Sequence, residues 1–142
     1  MRPDSEPSIG ADIVEICRFR NLGQDPRFLH RVFSERELAY CFSYADPAPH
    51  LAATFAAKEA VLKAMYIPVR MNDMEILRDA TGAPSVEWVG TKKQRVAVSL
   101  SHSADIAAAV ALVIPDSEFL DPASVQSKID LACQQLVGSH VT

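Results

Sequence analysis

Two acidic side chains stand at positions where the surrounding pattern calls for apolar residues. Asp12 lies in the β-branched, alternating stretch Ile9 to Ile16, on the same side as Val14. Glu59 lies in the alanine-rich stretch Leu51 to Met65, whose spacing predicts a helix that is apolar nearly all round and largely buried. A carboxylate there needs a hydrogen bond, a counter-ion or a metal. Two carboxylates that converge from different elements form a hard oxygen site suited to Mg²⁺, which completes its shell with water and substrate phosphates.

Three basic side chains are candidates to meet the charge of a phosphate at such a site. Lys58 and Lys63 belong to the same predicted helix, and Lys63 follows Glu59 by one turn. His102 lies in the serine-rich segment Ser101-His102-Ser103, which fits an anion pocket lined with hydroxyl groups. Carboxylates, lysines and a histidine together are suited to phosphate chemistry, but the set is generic in composition.

A purely structural interpretation of the same residues stays open at this point. Glu59 and Lys63 have the i,i+4 spacing of an exposed ion pair, worth roughly 0.3 to 0.5 kcal/mol. Asp12 is equally suited to cap the segment that follows its strand, since aspartate is a poor strand former. A histidine like His102, taken alone, is more often a turn or core residue than a catalytic one.

A serine nucleophile activated by His102 is the main alternative chemistry. Ser101 and Ser103 are adjacent to His102, so on a strand they point to the opposite face. The chain has no G-x-S-x-G elbow and no third group placed to orient the histidine. It also contains neither a P-loop nor a G-x-G-x-x-G motif. The commonest classes of ATPase, kinase and Rossmann-fold protein are therefore excluded.

The composition is that of one ordinary globular domain. The chain has 142 residues, of which 49% are hydrophobic and 23% charged. A formal net charge of -4 and the lack of a basic block argue against nucleic-acid binding. Three widely spaced cysteines predict neither a disulfide framework nor a zinc site. The first eight residues are unlike a signal peptide and no apolar run reaches membrane-spanning length, so we expect a cytoplasmic protein that does not bind membranes.

Periodicity and turn residues predict the order of the elements. Ser34 and Glu37 have the spacing of a capping box, which predicts a helix from Glu35 to about Tyr44 with its charges on a solvated face. Two hairpins are expected after the central helix, and the alanine-rich last arm is taken as a strand although periodicity alone does not separate it from a helix. The arms are Met74 to Arg78 with Val86 to Val89, and Val96 to Leu100 with Ile106 to Ile114.

The residues after Pro115 form a separate C-terminal extension. We take 1–115 as the domain and 116–142 as the extension, in which Ser124 to Val137 have the spacing of an amphipathic helix. The sequence does not indicate whether this helix docks on its own domain or on a neighbouring subunit.

Four segments, in this order and spacing, resemble holo-[acyl-carrier-protein] synthase, the short class of the 4'-phosphopantetheinyl transferase superfamily. The likeness spans roughly Ile9 to Ile114, and its strongest parts are Gly10-Ala11-Asp12 and the Phe-Ala-Ala-Lys-Glu-Ala element. The segments are Ile9 to Ile16 with Arg18, Phe33 to Leu38, Phe55 to Ala64, and Val98 to Ser103.

The resemblance implies a reaction and a set of residues for it. The reaction is transfer of the 4'-phosphopantetheine group from coenzyme A to a serine of an acyl carrier protein, which releases adenosine 3',5'-bisphosphate. Asp12 and Glu59 would hold Mg²⁺ and, with Lys63, form the catalytic set. The coenzyme A contacts implied by the resemblance are Lys58, Lys63, Ser101, His102, Gly82 and Pro84.

The resemblance also implies an architecture. The fold would be α+β, with a three-stranded antiparallel sheet packed on the long central helix, and the extension would add a C-terminal helix. Residues 1–115 would be the transferase domain of a homotrimer that binds coenzyme A between subunits, acting in the cytoplasm in fatty acid biosynthesis. The sequence does not identify the carrier protein, so a polyketide or other pathway stays open.

Two departures from the family pattern remove positive charge near the expected nucleotide. Thr54 stands where many members carry arginine, and Ala83 replaces a basic residue in the turn Gly82 to Pro84. Because of these departures, a second hypothesis stays open, in which the protein is a non-catalytic module that binds coenzyme A or carrier protein. A generic phosphate hydrolase would explain the carboxylates but not the order of the motifs.

Overall fold

Five strands and five helices make up the α+β fold of the computed structural model, which describes residues 7–90, 94–115 and 121–138. A short 3-10 turn at Met71–Asp73 precedes the second strand. The elements are β1 (Ser8–Glu15), α1 (Arg18–Leu22), α2 (Pro26–Val32), α3 (Glu35–Phe42), α4 (Ala48–Ala64), β2 (Met74–Arg78), β3 (Pro84–Trp88), β4 (Arg95–His102), β5 (Ile106–Ile114) and α5 (Pro122–Val137). No helix within the described ranges has both the length and the apolar character needed to cross a membrane.

The main sheet has three antiparallel strands, as predicted, and the structure shows that their order is β1-β5-β4. The alanine-rich segment is a strand and lies at the centre, where its inward alanines at 107, 109 and 111 are fully buried. Small side chains on this face allow α4 to lie close to the sheet. The predicted hairpin of β2 with β3 forms a separate two-stranded sheet.

Helix α4 is the centre of the core and starts earlier than predicted. It begins at Ala48 instead of Leu51, because Pro49 lies in the first turn, where a missing N–H costs no hydrogen bond. Its alanines are buried against the sheet, and a Cβ built on Gly10 would overlap the carbonyl oxygen of Ala60. The glycine thus lets the backbone of β1 lie directly on α4.

The charges of α3 do not all lie on a solvated face. The predicted capping box is confirmed, since the backbone N–H of Ser34 donates to Glu37 Oε1 at 2.8 Å and the N–H of Glu37 donates to Ser34 Oγ at 3.2 Å. Glu37 itself is only 2% exposed. It accepts a hydrogen bond from the N–H of Ile76 at 2.7 Å and pairs with Lys58 at 2.6 Å. The prediction of a solvated Glu37 is therefore wrong, because partners from β2 and α4 enclose it.

The extension docks on its own domain. Asp121 caps α5 by accepting from the N–H of Ser124 at 3.3 Å, and the buried side of α5 packs on the sheet face opposite α4. Gln126 Nε2 donates to the carbonyl of Val98 at 3.0 Å. The predicted helix is confirmed, and the division of the chain at residue 115 stays a prediction. The buried residues of α5 are Val125, Ile129, Cys133 and Val137.

Candidate functional site

Asp12 lies on the sheet face that packs against α4, where Lys63 binds it. The Nζ of Lys63 donates to Asp12 Oδ1 at 2.8 Å and to the carbonyl oxygen of Ala11 at 3.0 Å. The Asp12 side chain is largely buried, whereas Lys63 is half exposed. The predicted need of this carboxylate for a partner is thus met by an ammonium group from the neighbouring helix.

Glu59 lies one turn before Lys63 on α4 and is partly buried. Lys63 reaches across to β1, so the exposed i,i+4 pair that the sequence allowed is not formed. Within the described parts of the chain, the Glu59 carboxylate has no hydrogen bond or salt bridge. The Asp12 carboxylate on β1 is therefore bound to Lys63, and the Glu59 carboxylate, one helical turn before Lys63 on α4, is open to a ligand.

The donor set at this contact fits a hard cation. Within residues 7–90, 94–115 and 121–138, no three His, Cys, Asp or Glu side chains form a metal cage. Asp12 and Glu59 instead supply one carboxylate each from β1 and α4. Mg²⁺ typically takes one or two carboxylates and keeps the remaining positions for water and substrate phosphates.

Lys58 belongs to the core and not to this site. It is 0% exposed, and its Nζ contacts Glu37 Oε1 at 2.6 Å and the carbonyls of Val32 at 2.8 Å and Met71 at 3.0 Å. Burial lowers the pKa of Lys58, while the Glu37 carboxylate favours its charged form. These three partners use the three donors of the ammonium, so the prediction that Lys58 contacts a phosphate is not supported by its placement.

The segment Ser101 to Ser103 divides between two faces. His102 shares the α4 side of the sheet with Asp12, and Ser101 lies on the opposite side. Ser103 accepts the N–H groups of Asp105 and Ile106 at 3.3 and 3.2 Å and so holds the turn between β4 and β5. In the described residues no hydrogen bond joins the His102 ring to either serine hydroxyl, which argues against a serine nucleophile.

His102 is part of an aromatic cluster that the sequence did not predict. Its ring meets the ring of His50 edge-on with centroids 5.8 Å apart, and His50 stacks on Tyr44 at 3.6 Å. Arg78, at the end of β2, lies over the ring of Tyr40 at 5.0 Å. Burial lowers the pKa of His50, and the nearby charges of His102 and Arg78 lower it further. No sequence signal predicts this cluster, because its members come from α3, α4, β2 and β4.

The turn with Gly82 and Pro84 leads to this cluster. Gly82 has a φ of 86°, a conformation that favours glycine, and a Cβ there would meet nothing within 4 Å. Pro84 is the register partner of Arg78 in the β2–β3 hairpin. Thr54 is buried and donates its hydroxyl to the carbonyl of His50 at 2.8 Å, so it adds no charge to the surface.

Two similar proteins each match about three quarters of this chain. The holo-[acyl-carrier-protein] synthase of Moorella thermoacetica is 44% identical over 116 residues, which are 73% of this chain and 91% of that protein. The synthase of Thermodesulfovibrio yellowstonii is 37% identical over 109 residues, which are 74% and 96% of the two chains.

Solved structures of similar proteins agree with the sequence relatives. The Chronobacterium ammoniagenes ACPS-CoA complex has a TM-score of 0.67 at 26% identity, over 78% of this chain and 98% of that chain. The Helicobacter pylori holo-[acyl-carrier-protein] synthase in complex with coenzyme A has a TM-score of 0.65 at 30% identity, over 74% and 98%. The family model of the 4'-phosphopantetheinyl transferase superfamily matches residues 8–111, which include Asp12, Glu59, Lys63 and His102. This chain therefore belongs to the 4'-phosphopantetheinyl transferase superfamily.

Proposed function

We propose that this chain is a holo-[acyl-carrier-protein] synthase that transfers 4'-phosphopantetheine from coenzyme A to a serine of an acyl carrier protein. The serine oxygen forms a new bond to the phosphorus of the phosphopantetheine group, and the bond to the leaving phosphate breaks. The products are holo-carrier protein and adenosine 3',5'-bisphosphate, and the serine proton is released. Relatives of that name match over 91% and 96% of their length, which supports the whole activity and not a fragment of it.

The observation that carries the proposal is the pair of Asp12 on β1 with Lys63 on α4, with Glu59 one helical turn before Lys63. Asp12 and Glu59 are the residues that would hold Mg²⁺. When bound there, Mg²⁺ would neutralise charge on the phosphoryl group under transfer. Lys63 already holds Asp12 at 2.8 Å and is half exposed, so its ammonium is available to a phosphate oxygen at the same place.

The decisive experiment is intact-mass analysis of apo acyl carrier protein after incubation with this protein, coenzyme A and Mg²⁺. We expect the carrier to gain the mass of one phosphopantetheine group, and we expect EDTA to prevent the gain. A carrier whose serine is replaced by alanine is the matched control and should gain nothing. If wild-type carriers gain no mass while coenzyme A still binds, the non-catalytic module is the better description.

We propose a homotrimer with its active sites between subunits, as the family resemblance implies. Ile9 and Ile13 on the outer face of β1 are 60% and 51% exposed and offer apolar surface for a subunit contact. Light scattering should then give three times the chain mass of 15.5 kDa. Ile9→Lys should dissociate the trimer, whereas Val89→Lys, at a residue that is also exposed, should not. A wild-type mass of one chain would contradict the proposal.

We also propose that the protein acts in the cytoplasm and in fatty acid biosynthesis. The three cysteines are free thiols, two of them buried, as expected in a reducing compartment. Assay of purified carriers from fatty acid and polyketide pathways tests the pathway, since the preferred carrier should have the highest kcat/KM.

A further inference from the structure

The outer face of β1, opposite α4, is an apolar strip open to solvent. Ile9 and Ile13 are 60% and 51% exposed there, and Ala11 between them is exposed as well. The strand is also an edge of its sheet, since among the described residues it pairs with β5 alone. The first charged side chain on this face is Glu15, the last residue of β1. An open edge strand with so little charge on its face favours association with another chain.

Helix α5 lies directly beside this strip. Its buried side packs on Ala108 and Val110, which belong to the same outer face of the sheet and lie on β5. Those two residues are the register partners of Ile13 and Ala11 on β1. Because paired strands lie about 4.8 Å apart, α5 forms a wall one strand away from the strip.

The flank of α5 that faces β1 is apolar. Gln126 Nε2 donates to the carbonyl of Val98 on β4, so the flank with Gln126 faces away from β1. Helical spacing places Ala132 and Leu136 on the opposite flank. Leu136 is 38% exposed and adds apolar surface beside the strip. We call this combined surface the β1–α5 corner; it consists of Ile9, Ala11, Ile13, Ala132 and Leu136.

The charge of the chain favours a second copy of it as the occupant of the β1–α5 corner. Each copy has a formal net charge of -4, so identical copies repel one another unless they meet through a neutral surface. All the side chains of the corner are uncharged. The cores of protein interfaces are depleted of charge in the same way. The corner also includes Ile9 and Ile13, the residues of the proposed trimer contact, so a second copy fits it better than a charged partner does.

We propose that α5 forms one wall of the subunit interface and that Leu136 packs on a second copy of this chain together with Ile9 and Ile13. The inference rests on the proposed homotrimer and extends its interface to a helix outside residues 8–111, the part of the chain that the family model matches. The C-terminal extension then has a function in assembly, since it adds apolar area to a contact that β1 alone would make smaller.

Leu136→Glu in the full chain tests this assignment by light scattering over a series of protein concentrations. We expect the midpoint concentration for dissociation of the trimer to rise by about tenfold or more, because the contact would bury an unpaired carboxylate. Leu131→Glu is the matched control, since Leu131 is a leucine of the same helix that is 58% exposed and lies on the side away from the sheet. It should leave the midpoint within about twofold of the wild-type value.

A fluorescent label at position 136 keeps the test decisive if Leu136→Glu does not fold. The label is attached to Leu136→Cys in a Cys17→Ser chain, because Cys17 is exposed while the other two cysteines are buried. We expect a blue-shifted emission that moves to the red when Ile9→Lys is added. A label attached to Leu131→Cys should show no such change.

Two outcomes overturn the inference alone. One is a wild-type trimer whose dissociation midpoint is unchanged in Leu136→Glu and whose label at position 136 does not respond to Ile9→Lys. The other is a Leu136→Glu trimer of unchanged midpoint with a higher KM for the carrier protein, which would make the carrier the occupant of the corner. A wild-type mass of one chain overturns the proposed trimer together with the inference, whereas transfer to the carrier protein is tested separately by the mass gain of the carrier.

Discussion

Glu59→Gln is expected to lower the rate of phosphopantetheine transfer by about 100-fold or more, which corresponds to roughly 3 kcal/mol of lost transition-state stabilisation. The substitution removes one negative charge with almost no change in volume. Because Glu59 has no hydrogen bond or salt bridge among the described residues, its loss leaves no partner unsatisfied. The free energy of unfolding should therefore stay within about 0.5 kcal/mol of the wild-type value.

The readouts for Glu59→Gln are the mass gain of the carrier protein over time and the heat of Mg²⁺ binding in the presence of coenzyme A. Both should fall together if Glu59 holds the metal. Glu87→Gln, at an exposed glutamate of β3, is the matched control and should transfer at the wild-type rate. If Glu59→Gln transferred the group at the wild-type rate, the assignment of Glu59 as a metal ligand would be wrong. If high Mg²⁺ restored the activity of Asp12→Asn, the role of Asp12 would be limited to tuning the affinity for the metal.

Lys58→Met is expected to lower the free energy of unfolding by about 3 to 5 kcal/mol, because it leaves an uncompensated charge in the core. Glu37 and Lys58 are each 0% exposed in their side chains and lie 2.6 Å apart. Methionine fills much of the volume of lysine but supplies no donor to Glu37 or to the carbonyl of Val32. Denaturant unfolding measures the change.

The double variant Glu37→Gln/Lys58→Met separates charge from packing. It removes the unpaired carboxylate and should recover part of the stability lost in Lys58→Met, while the amide oxygen of the introduced glutamine can still accept from the N–H of Ile76. Lys128→Met on the exposed side of α5 is the control and should change stability by less than about 0.5 kcal/mol. If the double variant were less stable than Lys58→Met, an effect of charge would be contradicted. If Lys58→Met folded but lost affinity for coenzyme A, Lys58 would belong to the binding site after all.

Local signals in the sequence were reliable where the physical cause is itself local. The capping box at Ser34 and Glu37 depends on a spacing of three residues, and the glycine at position 82 on one backbone angle. The central strand β5 was harder to assign from the sequence, since its alanines fit a helix as well as a strand. Its β-branched residues and the stop at Pro115 favoured a strand, which the structure shows. The start of α4 was missed because prolines at its first turn resemble a loop.

Asp12 and Glu59 were identifiable because each interrupts an apolar pattern. The partner of Asp12 was not identifiable, since Lys63 has an acidic neighbour on its own helix and yet binds a residue 51 positions away. Glu37 shows the same limit, because the N–H that it binds lies 39 positions along the chain. Pairing between distant residues depends on how helices and strands pack, which periodicity does not encode.

The sequence by itself determined the order of the elements, the two carboxylates and the family, and the family resemblance implied the α+β class, because periodicity, caps and motif order are properties of short segments. The tertiary structure alone decided which charges are buried, which face of the sheet α5 covers, and that Arg78, His50 and Tyr44 meet beside His102. Those outcomes depend on packing between elements far apart in the chain. Lys58 and Lys63 lie on one helix, yet Lys58 is buried and Lys63 is half exposed because the two side chains face different neighbours.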